Sequence, residues 1–134
     1  AHMSDRRLSF EEMRDSLLVA TGQLDRTLGG KSGDLLSAKF TRRSLYGTID
    51  RQFLPSALRI FDFANPDLHI PLRTDTTVPQ QALFFLNHPL MIGYAQSLAA
   101  KTANISSPED RIQQMHRLVL QRSARRQNFS PLLN

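Results

Sequence analysis

Apolar residues recur at helical spacing in two long stretches, separated by a middle third without a period. From Ser9 to about Leu24, Met13, Leu17, Ala20 and Leu24 fall on one arc, with Phe10 and Thr21 beside them. Ser9 and Glu12 have the S-x-x-E spacing of a capping box, in which serine and glutamate satisfy each other's backbone amides. Leu8 and Met13 have the spacing of a hydrophobic staple. Gly22 is a candidate stop, but the periodicity runs through it, so the pattern predicts a helix that ends by Arg26.

A second predicted helix covers Thr77 to Asn87. Its start lies at Thr77 or Val78, because Val78 precedes a proline, and Thr77 with Gln80 has capping-box spacing. Leu83 to Leu86 are apolar all round, which predicts a place at the centre of the core. Pro89 either kinks this helix or begins the next, on which Met91, Ala95, Leu98 and Thr102 share a face. Ser107 and Pro108 open a last helix with Ile112, Met115 and Val119 as its stripe, ending near Arg122.

Between these regions the period is lost. Gly29, Gly30 and Gly33 make Thr27 to Thr41 a loop. It lacks the G-x-x-x-x-G-K-[ST] spacing and the preceding β-run of a phosphate-cradling loop, so it reads as a connector. Arg42 to Ile49 reads as a short extended segment. Pro55 starts a short helix with Leu58, Ile60, Phe61 and Phe63 as core, and Asn65-Pro66 and Pro71 mark an irregular stretch up to Thr77. The expectation is an all-α fold, an irregular bundle of four to five helices with long loops. Ala1 to Met3 read as a cloning scar, residues 4–122 as one helical domain cut from a larger protein, and residues 123–134 as a basic tail that need not be ordered.

Composition narrows the chemistry. The 134 residues are 40% hydrophobic and 22% charged, which suits one globular domain. No apolar run approaches the roughly 20 residues of a membrane helix. The absence of cysteine excludes disulfides, thiolate catalysis, cysteine-ligated zinc and iron–sulfur clusters. The formal net charge is +5, carried by a strong excess of arginine over lysine, a residue suited to paired contacts and to phosphate. Arg111, Arg117, Arg122, Arg125 and Arg126 do not form one stripe on a helix. No helix-turn-helix or zinc-finger spacing accompanies them, so nucleic acid is a minority reading.

Four blocks in order carry a resemblance. They are Arg6-Arg7-Leu8 with Met13 to Leu18; Arg42-Arg43-Ser44-Leu45-Tyr46 with Arg51-x-x-Leu54-Pro55; Phe61-Asp62-Phe63-x-x-Pro66-Asp67; and Thr76 to Phe84 with Asn87 and Pro89. Over about Arg6 to Arg122 the chain resembles the C-terminal half of the planctomycete-specific domain of unknown function. That domain closes large exported proteins that often carry a cytochrome c-like domain. The resemblance implies an exported or periplasmic setting, haem elsewhere in the full-length chain with no cofactor in this piece, and the other domains of the same polypeptide as partners. It implies no activity. Ser9-Phe10 and the tail after Arg122 depart from the family pattern.

Two polar clusters are candidate sites. Asp62, Asn65, Asp67, His69, Arg73 and Asp75 place several oxygen ligands within a short stretch, but at no calcium-loop spacing, so turn chemistry is the favoured explanation. Arg42 and Arg43, with Tyr46, Asp50 and Arg51, have the residue types that clamp a carboxylate, sulfate or phosphate, or that tie an irregular segment down. The scattered histidines His69, His88 and His116 match no zinc pattern. The readings are therefore a non-catalytic docking or support module; part of an enzyme site or binding surface for anionic carbohydrate, with Arg42, Arg43, Asp62, Asp67 and Arg73 around one cleft; and polyanion binding by the tail.

Overall fold

The structure is a computed structural model, which describes residues 7–69 and 71–124. Among them are five α-helices: α1 (Phe10–Thr21), α2 (Ser56–Ile60), α3 (Pro79–Asn87), α4 (Pro89–Lys101) and α5 (Pro108–Leu120). A single 3-10 turn, Ser44–Tyr46, lies between α1 and α2. The described residues contain no sheet, only isolated bridges pairing Asp25 with Arg42 and Gly33 with Gly47. The fold is all-α.

The ends of the helices follow local chemistry. At α1 the Ser9 Oγ accepts from the Glu12 amide, and the Glu12 carboxylate accepts from the Ser9 amide at 2.9 Å. Gly22 stops the helix four residues before the predicted limit of Arg26: at φ 78° it takes the left-handed turn that a side chain disfavours, and Gln23 N then closes on Leu18 O at 2.9 Å. At α3 the start moves to Pro79, with Val78 as the N-cap. The Gln81 Oε1, not Gln80, accepts from the cap amide. Pro89 begins a new helix without kinking the old one. Ser107 caps α5, which ends at Leu120.

Helices α1 and α4 pair, α3 packs on α4, and α5 lies against α1. The core lies where α1, α2, α3 and α4 meet. Phe10, Leu18, Leu58, Phe84, Leu90, Met91 and Tyr94 are buried there, with Leu35 supplied by the glycine-rich loop. Phe10, Phe61 and Phe84 form a triangle of rings with centroids 5.2–6.2 Å apart, the spacing at which edge and face contacts are favourable.

Three expectations about the interior and the middle segment need correction. The all-round apolar run on α3 is not the centre of the core. Only Phe84 of that run is buried; Leu83, Phe85 and Leu86 are 56%, 44% and 73% exposed. Helices α4 and α2 contact α3 and Phe85 keeps an edge contact with Phe61, which leaves Leu83 and Leu86 outermost. Second, Arg42 to Ile49 is not simply extended: Ser44–Tyr46 tighten into the 3-10 turn, closed by Gly47 N bonding to Ser44 O at 2.9 Å. The stripe of α5 is also less covered than its pattern implies, since none of its residues is fully buried.

Candidate functional site

The most enclosed charged group is Arg14, at the middle of α1. It lies four residues after Phe10 and four before Leu18, so helical geometry points it into the core between them. Its side chain is fully buried. The fork of donors is distributed over the irregular middle: Nε donates to Leu35 O at 3.0 Å, Nη1 to Arg42 O at 2.9 Å and Ser44 Oγ at 3.2 Å, and Nη2 to Phe40 O. The Phe40 ring lies over the guanidinium, 5.1 Å from its carbon to the ring centroid. The neighbouring Asp15 supplies the compensating charge at 3.3 Å and accepts from the Ser44 amide and hydroxyl. A buried cation is tolerated only with such pairing and hydrogen bonding.

Arg42 repeats the device outside the core. It donates to the carbonyls of Lys31 (3.0 Å), Thr27 (3.1 Å) and Gly29, and its guanidinium lies 4.1 Å from the centroid of the Tyr46 ring. The Tyr46 hydroxyl accepts from the Gly29 amide at 3.1 Å. Hydrogen bonds from the Thr27 hydroxyl and amide hold the Asp25 carboxyl below its ordinary value, against some desolvation and with help from the Arg42 charge. Arg42 and Tyr46 thus fasten the glycine-rich loop. Arg43 is exposed and lines a groove with Glu11, Asp15, Ser44 and Phe63. Asp50 accepts from the Gln52 amide in a local turn, and Arg51 is exposed.

The second cluster surrounds a different groove, lined by Arg7, Asp62, Arg73 and Asp75 among others. Asp62 has φ 55°, a left-handed conformation that aspartate tolerates. Burial pushes its carboxyl up, but bonds from the Thr76 amide (2.8 Å), the Thr76 hydroxyl and the Thr74 hydroxyl, with the charge of Arg7, leave it below its usual value. A carboxylate held ionised in this way is a clamp and a poor proton donor. Arg73 pairs with Glu11 of α1 at 2.9 Å and covers the Phe63 ring at 4.8 Å. Arg7 reaches Asp75 at 3.4 Å and bonds Thr76 O. Asp67 and His69 are exposed, and the Asp67 amide donates to Asn65 Oδ1 at 3.0 Å in a turn.

The ten candidate residues are therefore divided. Arg43 faces one groove and Asp62, Arg73 and Asp75 another, while Arg42 is turned into the loop. Sequence reasoning missed Arg14, Asp15, Ser44 and Gln81, whose side chains tie α1 and α3 to the irregular segments. Gln81 is buried on α3 and its amide nitrogen donates to Ile60 O at 2.7 Å and Thr76 O at 3.1 Å. The available signal was spacing: Phe10, Arg14 and Leu18 form an i, i+4, i+8 row. Arg14, Arg42, Lys101 and Arg111 all donate to backbone carbonyls, the last two to Ala20 O and Ala99 O. Part of the positive charge is thus engaged with the fold's own backbone.

A third feature is apolar. Met13, Leu17 and Ala20 of α1 line a groove of about 400 Å³ with Tyr94 and Leu98 of α4 and Leu120 of α5. Tyr94 is buried; burial pushes its hydroxyl's titration up, with Arg14 opposing and Asp15 reinforcing.

His88 sits between α3 and α4. Its Nδ1 accepts from the Leu90 amide at 3.2 Å, so the neutral ring carries its proton on Nε2 and leaves no lone pair there for a metal. Among the described residues no group of three or more histidine, aspartate or glutamate side chains could hold a metal ion, and no helix is long and apolar enough to cross a membrane. Arg125, Arg126 and most of the basic tail lie outside the described residues, as do Ala1 to Met3.

Comparison with known proteins gives one result. No curated protein and no solved structure matches the chain. A family described as a protein of unknown function (DUF1553), abbreviated PSD1, matches residues 1–134, and the chain belongs to that family.

Proposed function

We propose that this chain is a non-catalytic helical docking and support module of an exported multidomain protein, and that the outward face of α3 is its contact with the preceding part of the same polypeptide. One observation carries the reading. A nine-residue helix presents Leu83, Phe85 and Leu86 to solvent while burying only Phe84 and Gln81. Leu83 and Leu86, one turn apart on α3, form the most exposed apolar part of it, and exposed apolar side chains of this size suit a face that another surface covers. The resemblance to the C-terminal half of a larger domain supports the rest of that domain as the occupant. The polar clusters suit the same role, because their arginines and carboxylates hold loops in place around the helices.

Hydroxyl-radical footprinting of the chain alone and of the full-length protein tests the reading. Leu83, Phe85 and Leu86 are expected to label readily in the first and several-fold less in the second. Equal labelling in both proteins would refute the contact.

A further inference from the structure

We propose that His88 is an acid-sensitive latch between α3 and α4, closed by the neutral imidazole and opened when the ring takes up a proton. Every backbone and ring acceptor at this residue is engaged. Its amide closes α3 by donating to Phe84 O at 2.9 Å, and its carbonyl opens α4 by accepting from Met91 N at 2.9 Å and Ile92 N at 3.1 Å. The side chain completes the junction, with Nδ1 as the N-cap acceptor for the Leu90 amide.

The cap exists only while Nδ1 keeps its lone pair. A second proton turns that nitrogen into a donor facing another donor, the Leu90 N–H. It also places a positive charge at the N-terminus of a thirteen-residue helix, where the aligned peptide dipoles oppose it. Among the described residues of the adjoining groove no charged side chain compensates. The groove beside His88 is lined by Leu36 from the loop, Ser56, Ala57 and Ile60 from α2, Gln80, Leu83, Phe84 and Asn87 from α3, and Pro89 from α4; none of these titrates or carries charge. The ring also stacks on Phe84, with centroids 4.4 Å apart and planes at 27°, a contact that does not depend on the cap. Protonation therefore opens the cap and leaves the ring on Phe84, so the change is confined to the α3–α4 junction.

The latch stands on this geometry alone. Its consequence, a loosened presentation of Leu83 and Leu86 in acid, rests on the docking reading of α3.

The experiment is an NMR titration of the whole chain from about pH 8 to about pH 5, the range over which imidazoles take up a proton. It follows the His88 ring and the exchange protection of the Leu90 amide, beside the variant His88→Asn, whose Oδ1 caps at every pH. In the native chain, Leu90 protection is expected to fall at least fivefold as the His88 ring titrates; in the variant it is expected to stay constant. The other histidines, His2, His69 and His116, are common to both proteins, so the difference between them isolates position 88. The proposal is overturned if Leu90 stays protected while His88 titrates, if His88 stays neutral throughout, or if the variant shows the same loss. Should His88→Asn fail to fold, the native chain decides alone, through the coincidence of ring titration and amide opening. Footprinting of the full-length protein at the acid end separates the consequence: a working latch with unchanged Leu83 labelling leaves the latch standing and counts against docking through α3.

Discussion

The two halves of the core are fastened in opposite ways. Around α1, the irregular segment from Thr27 to Gly47 is held by charge: Arg14 is buried among the carbonyls of Leu35, Phe40 and Arg42, and Arg42 holds those of Thr27, Gly29 and Lys31. Around α3 and α4, regular helices are held by the packing of Phe10, Phe61 and Phe84, and excess apolar side chains remain outside. A chain without a helical period cannot satisfy its own backbone, so it needs donors brought from elsewhere. A helix has met that demand and can spend its side chains on packing and contact.

Breaking each fastening shows whether the contrast is real. The largest effect is expected for Arg14→Met, which fills the space but leaves several buried carbonyls without donors and Asp15 without its cation; urea denaturation should show a loss of about 4 kcal/mol. Amide exchange should also rise across Thr27 to Gly47 while α4 stays protected. Phe84→Ala opens the other half. A loss of roughly 3 kcal/mol is expected in the same measurement, with exchange rising in α3 and α4 first.

Gly47→Ala tests how closely the irregular segment packs. A Cβ at that position would sit 2.3 Å from Leu35 Cγ, so the loop must shift; a thermal melt should register a cost of roughly 1–3 kcal/mol.

The smallest effect concerns acid. The Asp62 carboxyl titrates below its ordinary value when folded, so its contribution to stability is fully present above the unfolded aspartate value and is lost as pH falls through the folded one. Stability of the native chain relative to Asp62→Asn should therefore be highest near neutrality and should shrink below about pH 4. A gap that widens in acid would contradict the assignment.

Local signals were legible where they were self-contained. Ser9 with Glu12, and Ser107 with Pro108, announced helix starts because the partners lie within one turn. Gly22 ended α1 as its residue type allows, against a periodicity that pointed further. Arg14 was not legible in the same way. Apart from the adjacent Asp15, its partners lie 21 to 30 residues away and are mostly carbonyls, which every residue has. The placement of α3 misled for a related reason. An all-round apolar run says that a helix wants neighbours on every side, and does not say which of them its own chain supplies. The candidate polar residues were found in the right segments, but the division between two grooves depends on how those segments cross.

A loop gripped by its carbonyls is recognised by its path and not by its side chains. Leu35, Phe40 and Arg42 present to Arg14 a group that survives almost any substitution at those positions, but not a change in the number of residues between them. The segment from Thr27 to Gly47 should consequently accept replacements mainly outside Leu35, Phe40, Gly33 and Gly47, which pack closely, outside Arg42, Ser44 and Tyr46, whose side chains make its ties, and outside Gly29 and Gly30, whose φ is positive. A single insertion or deletion there should be about as damaging as losing Arg14 itself. For anyone grafting sequences into this chain, length is the specification that region enforces.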